Sequence, residues 1–180
     1  MVAVVVVVVA IVAIGSLAAW RWSRPDLRFT SATPDDLREV ATDAWRRFAA
    51  AFPARAGCLD GLTVAVAWDL RDRARYEPDR ALVLIRAPGT AANLEASLLH
   101  EFAHHVERVC PPGAAFRRRF VGAAELPPDT PWRDGGRWDA TPSERFAEAA
   151  VFHVLGEPPP HVLIHVHPAE VALVDEWAGA

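Results

Sequence analysis

Thr90 to Val109 is the segment that most narrows what this chain can become. Leu94, Leu98, Phe102, Val106 and Val109 recur at helical spacing, so the segment reads as an amphipathic helix with a single apolar stripe. With Leu98 at zero and about 100° per residue, the stripe centres near roughly 20°, while His100 and His104 fall at roughly 200° and 240°. A helix patterned this way has to pack on a sheet through one face and meet a further element with the other. His105, at roughly 340°, lies on the apolar stripe and is expected to be packed or to support a ligand, not to be one.

His100-Glu101-Phe102-Ala103-His104 places two imidazoles one turn apart, where both can reach one zinc ion from the same face. Glu101, to one side of them, is the candidate general base, placed to take a proton from a water beside the metal. Catalytic zinc takes three protein ligands and keeps one position open, so a third ligand has to come from elsewhere. A second predicted helix, starting at Thr141-Pro142-Ser143-Glu144 and running to about Leu155, offers Glu144 and Glu148 one turn apart on one face. Glu144 also stands where a capping box would turn it back to the Thr141 backbone, in which case Glu148 is the ligand. His153 lies about half a turn off that face and is not expected to join them.

The remaining segments alternate in kind. Thr33-Pro34-Asp35-Asp36 predicts a helix start, with Thr33 as cap and Pro34 in the first turn, and that helix runs to about Ala51. Leu62–Trp68 and Ala81–Arg86 are short apolar runs with flanks that suit strands. Arg71–Arg80 reads as a charged connection, Ala114–Ala124 as a helix and Leu126–Ala140 as a long loop rich in Pro, Trp and Gly. The C-terminal stretch predicts a short extended piece and then a helix over Pro168–Trp177. His161, His165 and His167 share one face if that piece is extended, as a metal pair, as substrate contacts or as surface residues. Helices mixed with short strands make the expected class α+β, a small mixed sheet packed on the metal helix.

Val2 to Trp20 carries no charge over about the length that spans a bilayer core, roughly 20 residues. Residues 1–22 are therefore expected to be a transmembrane anchor or a signal segment, 23–33 a linker and 34–180 the folded domain. The protein is then single-pass in the cell membrane, or secreted if residues 1–18 are removed. Arg21, Arg24 and Arg28 follow the span and by the positive-inside rule place the domain in the cytoplasm. Cys58 and Cys110 pull the other way if they pair, since a reducing cytoplasm would leave them as two thiols. A net charge of −4, with no lysine and with arginines dispersed apart from Arg117, Arg118 and Arg119, argues against nucleic acid as a partner.

HEFAHH at 100–105 followed after a loop by ERFAEA at 144–149 resembles the gluzincin metallopeptidases, in particular the group that includes anthrax lethal factor. From about Asp36 onward the chain also resembles small bacterial proteins, linked to membranes, that carry the same LHEFAHHVE and PSERFAEA signatures. The resemblance implies a minimal zincin-like domain. It makes Glu144 the third zinc ligand beside His100 and His104, and Glu148 a residue that orients a histidine. The tyrosine that the lethal-factor group places shortly before its third ligand has no counterpart, since Arg137 and Trp138 stand there. Tyr76, Arg137 or a C-terminal histidine is left to stabilise an oxyanion. The implied activity is hydrolysis of a peptide or protein substrate, which would pair with Ala81–Arg86 as an exposed edge strand. The alternative is a membrane-tethered module that keeps the zincin fold for binding and is catalytically weak or inactive.

Overall fold

The computed structural model describes residues 26–134, 136–159 and 164–180. The apolar segment expected at 1–22 and His161 lie outside these residues, and no helix among the described residues is long and apolar enough to cross a membrane. The elements follow in the order β1 (Leu27–Phe29), α1 (Asp35–Ala51), β2 (Leu62–Ala67), β3 (Ala74–Glu77), β4 (Leu82–Arg86), α2 (Ala91–Val109), α3 (Ala114–Ala123), α4 (Pro142–Leu155) and α5 (Pro168–Gly179). The expected α+β class is what forms: a mixed sheet in the order β1-β2-β4-β3, covered by helices.

Two strands stand where none is expected. Leu27–Phe29, inside the stretch read as a linker, pairs in parallel with β2. Leu27 and Phe29 pack on the core while Arg28 faces out, but three residues are too few for an alternating pattern to be read. Ala74–Glu77, inside the charged connection, runs antiparallel to β4. Its neighbour in the sheet, not its own composition, makes Ala-Arg-Tyr-Glu a strand. The edge assignment changes with it. Ala81–Arg86 is not the exposed edge: β4 sits between β2 and β3, and β3 is the edge.

Parallel neighbours require a crossover, which α1 supplies between β1 and β2. The expected cap does not form on α1, because the Thr33 hydroxyl is held by the Val64 carbonyl (3.3 Å) and the Thr30 hydroxyl (2.9 Å). Leu37, Ala41, Ala44, Trp45 and Phe48 of α1 are buried at helical spacing. Trp45 meets Phe102 of α2 edge-on at 4.8 Å, and Phe48 does so at 5.9 Å. Leu98, Phe102 and Val106 of the predicted stripe are fully buried, whereas Val109, at its end, is exposed.

Helix α2 is the centre of the molecule, packed on α1, on α4 and on strands β3 and β4. Behind α4, the rings of Phe120, Trp132, Phe146 and Trp177 pack together and continue the same core. Cys58 and Cys110 form a disulfide, with Cα atoms 5.9 Å apart, which ties the C-terminal end of α2 to the turn before β2. At the far end of α4, Gly156 takes the left-handed conformation (φ 73°) that a helix stop there requires, and its N–H returns to the Phe152 carbonyl.

Candidate metal centre

His100 and His104 project from one face of α2, with ring centroids 4.9 Å apart. Helix α4 lies along that face and presents Glu144, Ala147, Glu148 and Val151 to it at helical spacing. Glu144 Oε2 stands 3.1 Å from His100 Nε2 and 3.3 Å from His104 Nε2. One donor atom from each of the three residues lies within 4.8 Å of the others, a set that could hold a metal ion. The capping-box contact does not form. Thr141 gives no side-chain cap, its hydroxyl donating to the Arg137 carbonyl instead, and the Glu144 carboxylate turns toward the histidines.

Glu148 is buried on the other side of His100, with Oε2 3.5 Å from Nδ1. The ring is thus flanked by a carboxylate at each nitrogen. Burial works against a charged His100, but the bonds to Glu144 and Glu148 outweigh it and push its pKa up to about 10. Burial would raise Glu144, yet the two histidines hold it far below the usual carboxylate range. The donor set of two imidazole nitrogens, one carboxylate and a buried carboxylate behind one ring fits zinc and the outer contacts that orient its ligands.

Glu101 is nearly buried but opens on the same cleft, and it forms no hydrogen bond or ion pair with a described residue. The cleft holds about 930 Å³ and is edged by β3. Arg86 N–H donates to the Arg73 carbonyl (2.8 Å), so Arg75 with Leu84 and Glu77 with Leu82 are the hydrogen-bonded pairs of the β3–β4 ladder. The backbone N–H and C=O of Ala74 and Tyr76 consequently point outward from the edge.

His105 is buried in the core, as its place on the stripe predicts. Its Nδ1 meets the Tyr76 hydroxyl at 3.0 Å, and burial lowers its pKa to about 4, so the ring is neutral. This contact occupies the hydroxyl of Tyr76, one of the residues expected to be available for an oxyanion. Arg137 is paired with Asp139 on the surface, and His165 and His167 are exposed and do not line the cleft. His153 bonds to the Ala51 carbonyl, away from the site.

Three features of the site have no signal in the sequence pattern. The Trp138 ring, half exposed, stacks on His100 at 6.1 Å. Buried Glu107 accepts from Trp132 Nε1 (2.5 Å) and from the Arg133 guanidinium (2.8 and 3.0 Å), which fastens the loop before α4 to α2. Arg145, the neighbour of Glu144, forms a buried pair with Glu170 of α5. Each depends on residues far apart in the chain. Comparison with protein-family models, with curated proteins and with solved structures gives no match to this chain.

Proposed function

We propose that the protein is a zinc-dependent peptide hydrolase with a zincin-like domain. The observation that carries this reading is the meeting of His100, His104 and Glu144 beside Glu101, which has no partner among the described residues, in a cleft edged by a strand. Zinc bound by the three residues would lower the pKa of a water and polarise a scissile carbonyl. Glu101 is the residue in position to take the proton from that water and return it to the leaving amine. Glu148 fixes the ring orientation of His100, and the outward amide and carbonyl of Ala74 and Tyr76 offer an extended substrate a backbone ladder. The apolar segment at residues 1–22 would keep the domain at a membrane. The Cys58–Cys110 bond favours its oxidising side over the cytoplasmic one.

The test uses the full chain in neutral detergent, wild type against Glu101→Gln, with zinc content and hydrolysis of a broad peptide library both measured. Both proteins are expected to hold one zinc per chain, and hydrolysis is expected to fall by about 10²–10⁴ in the variant. Undiminished hydrolysis in the variant would remove Glu101 from the chemistry. Zinc-loaded wild type inert to every peptide would replace the hydrolase with a tethered binding module.

A further inference from the structure

We propose that the cleft takes acidic peptides, with Asp or Glu on both sides of the residues that lie over the metal centre. The proposal rests on the peptide-hydrolase reading and names its substrate class. Six arginines line the cleft: Arg71, Arg73 and Arg75 leading into and along β3, Arg86 at the end of β4, Arg108 in the last turn of α2 and Arg133 in the loop before α4. They sit in a chain whose net charge is −4, and the lining also carries six acids, of which Glu101, Glu144 and Glu148 belong to the candidate metal centre.

The pairing of these arginines decides how much charge is left for a ligand. Arg75 is held by Asp72 (2.5 Å), Arg133 by Glu107, and the Arg86 guanidinium by the Arg71 carbonyl (3.0 Å). Arg71, Arg73 and Arg108 are exposed and form no ion pair with a described residue. Elsewhere on the surface Arg46, Arg47, Arg80, Arg119 and Arg137 each face an acid, while Arg118 is exposed with no ion pair to a described residue. Outside the metal centre the lining acids are Asp72, Glu107 and Asp134, and the first two are already taken. Three guanidinium groups with no ion pair to a described residue therefore stand along the cleft rim.

Its placement matches an extended chain. Arg73 is joined to Arg86 through the backbone, and both line a small neighbouring cavity with Ser97, on the N-terminal side of His100 along α2. Arg108 lies beyond His104 at the other end of the same helix. Ser97 to Arg108 spans roughly 16 Å at the helical rise, enough for about five extended residues. The arginines without an ion pair to a described residue thus flank the histidines on both sides. The open amide and carbonyl of Ala74 and Tyr76 select a peptide backbone over a phosphodiester or a lipid headgroup, which cannot continue a strand ladder.

The test presents the zinc-loaded full chain in neutral detergent with short peptides that share one apolar core and carry Glu, Gln or Lys at both flanks. Binding is measured calorimetrically on Glu101→Gln, and cleavage by mass spectrometry on wild type. Glu-flanked peptides are expected to bind roughly tenfold tighter than Gln-flanked ones at low ionic strength, and to lose that advantage in high salt. Arg71→Glu with Arg73→Glu, and separately Arg108→Glu, are each expected to cut the advantage by about threefold. Acidic flanks that bind no better than Gln flanks overturn the proposal, as does an advantage that survives all three reversals. Anionic vesicles that displace the peptides and themselves depend on Arg71 and Arg73 would assign the rim to a membrane surface and also overturn it. The two readings fail separately: cleavage indifferent to flanking charge removes the acidic preference alone, whereas acidic peptides bound but never cleaved remove the hydrolysis and leave the preference standing.

Discussion

Replacing Glu170 by Gln tests whether a buried ion pair holds the helix that carries Glu144. Arg145 Nε and Nη2 donate to Glu170 at 2.8 and 2.6 Å, with side chains only 9% and 0% exposed. The same guanidinium also holds the carbonyls of Asp139 and His165, both at 3.2 Å, and Glu170 accepts from the His167 N–H at 2.6 Å. Removing one partner leaves a buried charge without its counter-charge, which costs about 3–5 kcal/mol. The Arg119–Glu176 pair is comparably short, 2.6–2.7 Å, but its side chains are 54% and 56% exposed, where solvent screening leaves a pair little weight. For a domain of this size each kcal/mol moves the melting temperature by about 2–4 °C, so Glu170→Gln is expected to lower it by about 6–20 °C and Arg119→Gln by much less. The assay is thermal unfolding of the full chain followed by far-ultraviolet circular dichroism, with a chelator present so that bound metal does not add its own stabilisation. Arg145→Met combined with Glu170→Leu removes both charges and is expected to lose less than either single change. If Glu170→Gln melts within a degree or two of Arg119→Gln, burial is not what gives the pair its weight.

Two further outcomes follow from the same geometry. Glu148→Gln, which loosens the contact behind His100, is expected to weaken zinc binding by about 10–100-fold, and Glu144→Ala, which removes a donor, by more than that; zinc titration against a competing chelator checks the order, and the reverse order would make Glu148 the ligand. Reducing the Cys58–Cys110 bond, which closes a loop of 52 residues in sequence separation, is expected to cost about 4 kcal/mol, or roughly 10 °C in melting temperature; an unchanged melt of the reduced protein would refute the clamp.

The metal site and the strand that edges it were unequally legible. His100, His104 and Glu101 could be placed because a helix is a local object: spacing alone sets the angle between two side chains one turn apart, and the apolar stripe says which side is packed. The same wheel put His105 in the core, where it is found. The choice between Glu144 as a donor and as a cap could not be made that way, because both uses satisfy the same helix start. The approach of α2 excludes the cap, because its two imidazoles draw the carboxylate off the Thr141 backbone.

Strand β3 shows the limit most plainly. Ala-Arg-Tyr-Glu has no pattern of its own, and its extended conformation exists because β4 supplies its hydrogen bonds. The same dependence hid the Trp138 ring on His100, the Glu107 anchor of the loop, and the Arg145–Glu170 pair, whose partners are 25 or more positions apart in the chain. By itself the sequence determined the helices, two of the strands and the two histidines with their glutamate, since these depend on neighbours within a turn or a few residues. The tertiary structure decided where the Glu144 carboxylate turns, which strand is the edge of the sheet and which cleft arginines have no ion pair among the described residues, since each is a property of pairs that only folding brings within a few ångströms.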